Sequence, residues 1–241
     1  RYSDLMTKRN MPHRLDGSGW LVLLAAVLVL LLSMGQIVYR LTLPTDGWNV
    51  VPEGIEGANW MYFQNLVGAA SDLQVGDEVL AVDGRSVSGS ASNAYIPAPD
   101  NWQIGRTVTM LILREGVEME VAVPVVAWTG TAIWRLNTST SGQTGSLLGA
   151  LLLFIICWFT FLRRSDIPSA RALLMFGTAS GATTISSIVP DGLSVQFDQF
   201  AFYLTGFFSY VIFGVLLAPS LLTFALLFPR PKQVIQHHPW L

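Results

Sequence analysis

The sequence is poor in charge and has almost no cysteine. Charged residues make up 12% of the 241 residues, about half the usual share in a soluble domain. The one cysteine, Cys157, excludes a disulfide framework within the chain. The three histidines, His13, His237 and His238, lie outside the apolar runs, and no H-E-x-x-H motif occurs. These absences argue against a buried proton relay and a zinc protease, and we predict no catalytic residue, no metal site and no cofactor.

The missing charge is concentrated in four long apolar stretches. Each approaches or exceeds the ~20 residues that cross a hydrocarbon core. They predict four transmembrane helices, at residues 17–41, 143–162, 169–189 and 199–228. The third stretch is the least apolar, because it contains the small and polar run GTASGATTISS. The first run is too long for a signal peptide, which favours an uncleaved anchor.

The distribution of basic residues predicts the orientation of these helices. Lysine and arginine are frequent in residues 1–16, 163–171 and 229–241, whereas the 191–198 loop carries only acidic charges. Because basic loops stay in the cytoplasm, we expect a multi-pass protein of a bacterial plasma membrane. Segments 1–16 and 229–241 would be cytoplasmic, and residues 42–140 would form an extracytosolic domain. The lipid bilayer is then the first predicted partner.

The domain at residues 42–140 has the alternating pattern of β-strands. Val108, Met110 and Ile112 alternate with more polar residues, and the alternation resumes after Glu115-Gly116, as expected of an antiparallel hairpin. From Arg40, counted with them, to the second apolar run, five arginines oppose eleven Asp and Glu residues, a net charge of −6. This balance excludes a nucleic-acid footprint. The predicted fold class is therefore a membrane α+β protein with a β-rich domain inserted between helices 1 and 2.

Part of this domain resembles the bacterial-type PDZ domain over about residues 45–128. The resemblance rests on Leu73, Gly76-Asp77 and Asp83-Gly84, followed by Gly105 and then Arg114-x-Gly116. These elements occur in the family's order at ordinary distances. Gly76-Asp77 fits a turn into a strand and Asp83-Gly84 a tight reversal.

The PDZ resemblance implies capture of a peptide as an added strand. It places the carboxylate-binding loop near PEGIEGAN and the edge strand at Trp60–Gln64, and the expected ligand residues are Trp60, Met61, Tyr62 and Phe63. Two features depart from the family. Glu56 would repel an anionic peptide end, and SGSASNAYIPAPDNW, where a groove helix should lie, is a poor helix former. Peptide capture, an altered ligand surface and a structural spacer all remain open.

The last apolar run is rich in aromatic residues in its first half. This pattern is typical of an interfacial aromatic belt. It also fits an apolar pocket for a hydrophobic or lipidated ligand, for which Phe207 and Tyr210 are the candidate residues.

The arrangement as a whole resembles the sensor region of membrane histidine kinases, above all the competence-pheromone type. The shared features are the helix and domain order and Phe228-Pro229-x-Pro231 at the exit of the last helix. This resemblance implies a homodimer that detects an external ligand, such as a peptide, and the segment itself is not expected to be an enzyme. Because the chain begins at Arg1 and stops at HHPWL, we expect a fragment of a longer protein.

Two other functions remain open on the sequence. One is a membrane-tethered PDZ scaffold that recruits or regulates an envelope protease. The other is an intramembrane protease, which would require catalytic helices after Leu241.

Overall fold

The computed structural model describes residues 16–53, 59–87, 95–139 and 141–228. The predicted N-terminal segment at 1–16, apart from Asp16, the loop centred on Glu56 and the tail at 229–241 therefore lie outside the described residues. The chain separates into two compact units. We call the first the helical unit; it comprises Arg1–Leu32, Leu148–Thr183 and Tyr210–Leu241. We call the second the β unit; it comprises Ser33–Leu147 and Thr184–Ser209.

Three helices are long and apolar enough to cross a membrane. Among the described residues these are Gly17–Leu41, Thr144–Arg163 and Gln199–Leu227. The first is helix α1, and the second belongs to helix α3, which spans Ser141–Arg163. Three such helices in one chain indicate a multi-pass membrane protein.

The last membrane-length helix is continuous but not uniformly wound. It begins as an α-helix at Gln199–Phe207, continues as a π-helix at Phe208–Leu217 and returns to an α-helix at Ala218–Leu227. Pro219 lies in the first turn of this final segment, where a missing backbone N–H is tolerated. The wider π-helical winding thus ends where the proline begins a new α-helical turn.

The third predicted span forms helix α4, Pro168–Ser186, but its composition differs from that of the other three. Its buried face consists mostly of small residues, namely Ala170, Ala172, Gly177, Thr178, Ala179, Gly181 and Ala182 with Leu174. It is not among the described helices that are apolar enough to cross a membrane by composition. Its crossing of the bilayer stays a prediction.

The described residues of the helical unit include a small apolar cluster and a polar link between α1 and α4. Ala26, Phe161 and Leu174 are buried together. Arg171 on α4 donates to Asp16 at 2.7 Å and to Ser18 at 2.5 Å, at the start of α1. The Gly19 backbone N–H, and then Arg171 and Ser18, lower the pKa of the Asp16 carboxyl. The start of α1 is thereby joined to α4 by charge-assisted hydrogen bonds.

The β unit contains an antiparallel sheet between α1 and the later helices, as the sequence predicts. Its six strands are β2 (Trp48–Glu53), β3 (Asn59–Asn65), β4 (Glu78–Val82), β5 (Arg85–Ser86), β6 (Thr107–Arg114) and β7 (Val117–Pro124). The strand order is β2-β3-β4-β6-β7, and β5 pairs with β4. The predicted hairpin is present as β6 and β7, which turn at Glu115 and Gly116 with φ of 50° and 82°.

A short pair of strands and a helix accompany this sheet. Strands β1 (Pro44–Thr45) and β8 (Val126–Ala127) pair with each other and bring the two ends of the domain together. Helix α2, Gly130–Ser139, follows directly and buries Ala132 and Leu136. The sequence did not predict this helix, because its apolar stripe is short and lies just before the second apolar run.

The expected position of the edge strand is wrong. Strand β3, which contains Trp60–Gln64, pairs with β2 on one side, and Trp60 and Met61 pair with Val79 and Glu78 of β4 on the other. Within the described residues the sheet instead ends at β2 and at β7. Because Trp48–Glu53 lacks a strict alternation of apolar and polar residues, the sequence did not reveal that β2 covers β3.

Candidate functional site

The six predicted ligand residues differ in their exposure. Trp60 and Tyr62 are buried in the main core of the β unit, whereas Met61 is half-buried and Phe63 is exposed. Because successive residues of a strand point to opposite faces, Trp60 and Tyr62 could not share a surface with the other two. Phe207 and Tyr210 of the last helix are both exposed, Tyr210 at 75%.

Tyr62 belongs to a buried polar pair. Its hydroxyl donates to Asp46 Oδ2 at 2.7 Å, and Asp46 Oδ1 accepts the backbone N–H of Trp48 at 3.1 Å. Burial raises the pKa of Asp46, and burial together with Asp46 raises the pKa of Tyr62 well above its usual value. This pair fixes the entry into β2 and leaves Tyr62 no exposed hydroxyl for a ligand.

The residues that carry the PDZ resemblance have structural roles here. Asp77 is buried and receives both Nε and Nη2 of Arg114 at 2.7 Å, and it also accepts the N–H of Gln74. Asp83 accepts the N–H of Thr109 at 2.8 Å. Each carboxylate therefore fastens a turn to strand β6. No helix occurs in residues 95–102, the described part of the stretch where a groove helix was expected.

The main core of the β unit is completed by a distant part of the chain. Residues 187–198, which we call the connecting segment, lie between α4 and the last helix and contain the short helix α5, Leu193–Gln196. Leu193 and Phe197 belong to the core, and the Phe197 ring meets the Trp102 ring edge-on at 4.9 Å. A Cβ on Gly192 would lie 2.9 Å from Cγ2 of Val50, so this approach requires glycine.

Hydrogen bonds fix the connecting segment against the sheet. The Trp60 indole donates to Gln196 Oε1 at 2.7 Å, and the backbone N–H of Ile96 donates to the Gln196 carbonyl at 3.1 Å. Asn137 of α2 donates to the Ile188 carbonyl at 3.1 Å. The segment is thus part of the domain rather than a loose loop.

The end of α1 is bound to the same segment through Arg40. This side chain is only 1% exposed, and we call it and its acceptors the Arg40 cluster. Its Nη1 donates to the Ser186 carbonyl at 3.0 Å, and its Nη2 donates to the Val189 carbonyl at 2.7 Å and to Asp191 Oδ1 at 2.6 Å. A planar guanidinium presents five donors in a fixed arrangement and can serve several acceptors at once.

An open pocket lies where the connecting segment enters the last helix. Its volume is about 580 Å³, and its lining residues are Tyr95, Phe197, Asp198, Gln199, Phe200 and Tyr203. Asp198 caps the helix by accepting the N–H of Ala201 at 2.7 Å, and the Tyr39 hydroxyl lies 3.0 Å from both of its oxygens. The Phe200 ring meets the Tyr39 ring edge-on at 5.0 Å.

The pocket is lined by four aromatic rings and one carboxylate. No lysine or arginine is among its lining residues, and Phe200 and Tyr203 are 59% and 62% exposed. Among the described residues no group of three His, Cys, Asp or Glu side chains could hold a metal ion. The lining of this pocket is thus mainly aromatic, with Asp198 as its one charged side chain.

The lining residues on the last helix precede Phe207 and Tyr210, the two residues predicted from the aromatic run, by about one to two helical turns. The aromatic run alone did not indicate these lining residues. The available signal was the run Leu193, Val195 and Phe197 in a loop without lysine or arginine, followed by Asp198 as a helix cap. Apolar residues in such a loop indicate packing against another element.

Comparison with known proteins adds no assignment. The chain matches no protein-family model, no curated protein and no solved structure.

Proposed function

We propose that this chain is the input region of a bacterial membrane signalling receptor. In this proposal four helices cross the plasma membrane, the N-terminal segment is cytoplasmic, and the β unit carries a PDZ-like domain outside the membrane. An external ligand, such as a peptide, alters the domain, and the change passes into the helices. The resemblance to sensor histidine kinases supports a homodimer as the working assembly.

The observation that carries the proposal is the attachment of the β domain to the helix ends. A spacer domain needs only the two peptide connections at its ends. Here the domain core includes Leu193 and Phe197 from the connecting segment, and the Arg40 cluster binds the end of α1 to that segment. A displacement of the domain would therefore act on three helix ends together.

Polar contacts extend this attachment along the helices. The Ser186 hydroxyl donates to Gln36 Oε1 at 2.9 Å, and Gln36 Nε2 donates to the Thr205 hydroxyl at 3.3 Å. Gln36 is buried on α1, Ser186 ends α4, and Thr205 lies on the last helix. Because hydrogen bonds are directional, such contacts have a small number of preferred arrangements, which suits a two-state relay.

The test compares two asparagine substitutions in the complete coding sequence, expressed in a strain that lacks the gene. Asp191→Asn weakens the Arg40 cluster while changing a side chain that is largely exposed. Asp100→Asn, the control, changes an exposed partner of Arg85 in the same domain. Genome-wide transcription and the amount of chain in the membrane are measured for each strain.

Under the receptor proposal, Asp191→Asn should change the abundance of a defined set of transcripts by on the order of fivefold. A factor of this size corresponds to the lower end of the coupling free energies that are usual between two sites. Asp100→Asn should match the wild type. Unchanged transcription at equal membrane levels would contradict the proposal. If only the turnover of envelope proteins changed, the result would favour the tethered scaffold instead.

A further inference from the structure

The pocket at the start of the last helix has a composition that selects for positive charge. We propose that it binds a cationic group of an extracellular peptide, namely a lysine or arginine side chain or the peptide's amino terminus. This inference rests on the proposed function, because it names the ligand class that the receptor would detect. It concerns Tyr95, Phe197, Asp198, Phe200 and Tyr203, the aromatic and acidic part of the lining.

Aromatic faces attract cations because the ring quadrupole places negative charge above the ring. The pocket offers rings from the domain, from the connecting segment and from the last helix. Phe197 and Phe200 are held by edge-on contacts with Trp102 and Tyr39 at 4.9 and 5.0 Å. Two of the walls are therefore fixed before a ligand arrives, which lowers the entropy lost on binding.

The carboxylate supplies the charge that the rings alone lack. Asp198 accepts one backbone N–H and the Tyr39 hydroxyl, and an ionised carboxylate has about four lone-pair sites. It therefore retains the capacity to accept from an ammonium or guanidinium group. No cationic side chain is among the lining residues to compete for it.

The charge of the surrounding domain points to a peptide with net positive charge. From Arg40 to the start of α3 the chain carries five arginines against eleven Asp and Glu residues. A surface of this sign attracts cations and repels anionic ligands over a Debye length of about 8 Å at physiological salt. The volume of about 580 Å³ lies within the usual range of small-ligand sites, roughly 300–1,000 Å³. It accommodates one long side chain and not a folded protein.

The test measures binding of a short peptide to the full chain in nanodiscs. The probe is acetyl-Leu-Lys-Leu-amide, and its neutral comparison is the same peptide with Nε-acetyl-lysine. The nanodiscs contain phosphatidylglycerol, which has no cationic headgroup, and a second set contains phosphatidylcholine. Saturation-transfer NMR titration gives the dissociation constants.

We expect the free-lysine peptide to bind at least about tenfold more tightly than the acetylated one, in line with a charge-assisted contact. Asp198→Asn should remove this preference while keeping the helix cap, because asparagine caps nearly as well as aspartate. Tyr203→Leu should weaken binding by about fivefold through the loss of one cation–π face. Tyr210→Leu, a change of an exposed tyrosine outside the lining, is the matched control and should bind like the wild type.

Equal binding of the two peptides, or equal loss in Tyr203→Leu and Tyr210→Leu, would overturn the inference. Loss, in phosphatidylcholine only, of the part of the binding that Asp198→Asn removes would assign the pocket to a lipid headgroup and overturn the peptide source. These outcomes are separate from the receptor proposal, because the Asp191→Asn transcription test does not depend on any peptide. A changed transcription profile without binding of the cationic peptide would support the receptor proposal and contradict the proposed ligand class.

Discussion

The helical unit and the β unit are stabilised in different ways. In the helical unit the buried contacts are few and mostly between small or apolar groups, such as Ala26, Phe161 and Leu174. In the β unit a large core of aliphatic and aromatic side chains is combined with buried polar groups, among them Arg40, Asp46 and Asp77. The difference follows from the surroundings, because apolar surface facing lipid gains little from burial in protein.

The contrast shows which unit depends on specific pairings between side chains. Close approach of small residues allows helices to pack with limited directional preference. A buried arginine or aspartate requires its partners in one geometry, because an unpaired buried charge is expensive. The β unit should therefore respond more strongly to single substitutions than the helical unit.

The largest effect is expected from Phe197→Ala. This ring comes from the connecting segment but is buried in the domain core, so its removal should lower the free energy of unfolding by about 3–5 kcal/mol. Phe63→Ala, which removes an exposed ring of β3, should cost less than about 1 kcal/mol. Denaturant unfolding followed by near-ultraviolet circular dichroism measures both.

Comparable losses for Phe197→Ala and Phe63→Ala would show that the connecting segment is not part of the cooperative domain. The β unit would then not depend on the connecting segment for its stability, and the contrast between the two units would be wrong on that point. If Phe197→Ala kept the far-ultraviolet helical signal but lost the near-ultraviolet signal, the result would support the contrast, because the helices would then persist while the domain core is disrupted.

A smaller effect is expected from Gly177→Ala in the helical unit. An added Cβ would lie 2.5 Å from Cβ and 2.6 Å from Sγ of Cys157, so the contact must open, at a cost of about 1–3 kcal/mol. Gly149→Ala is the control, because a Cβ there meets nothing within 4 Å and alanine favours helix. Thermal unfolding in detergent gives the shifts, with the first variant below the wild type and the second at or above it.

The double variant Gly177→Ala with Cys157→Gly tests the mechanism. It should regain part of the lost stability, because the added methyl then occupies the space of the missing thiol side chain. A double variant less stable than both single variants would argue that the two positions do not touch.

The smallest effect is expected from Asp46→Asn, and it depends on pH. Burial raises the folded-state pKa of Asp46, so the folded chain holds this proton more tightly than the unfolded chain does. Its stabilising contribution is therefore complete below about pH 4 and is lost as the pH rises through the folded-state pKa. Asp46→Asn should flatten this decline and change stability at low pH by less than about 1 kcal/mol.

Unfolding measurements between pH 4 and pH 7 check this prediction, with Asp100→Asn as the exposed control. A slope that is the same in Asp46→Asn and the wild type would mean that Asp46 is ionised in the folded protein. The buried polar pair would then be stabilised mainly by Tyr62 and Trp48 as donors.

Much of the secondary structure could be predicted from local patterns. The runs at residues 17–41, 143–162 and 199–228 correspond to membrane-length helices within a few residues. The alternation around Glu115-Gly116 corresponds to the β6–β7 hairpin. Both signals are local, because helix length and strand alternation are written in neighbouring residues.

The sequence could predict the kind of candidate site but not the residues that line it. An aromatic pocket on the last helix was among the expected alternatives, but Phe207 and Tyr210 do not line it. Which aromatic residues face a cavity depends on what packs beside the helix. Here Phe200 packs against Tyr39, which precedes it by 161 positions in the sequence, and that neighbour determines the wall.

The sequence by itself thus determined the membrane-length helices, the sheet-forming domain between them and the negative charge of that domain. Only the tertiary structure decided that β2 is an edge of the sheet, that Arg40 is buried, and that residues 187–198 complete the domain core. The physical reason is sequence distance: Trp60 and Gln196 are 136 residues apart, and Arg40 and its acceptors are 146 to 151 apart. Contacts between residues so far apart produce no periodic pattern in either segment. Each residue fits the pattern of its own helix or strand whether or not the distant partner is present.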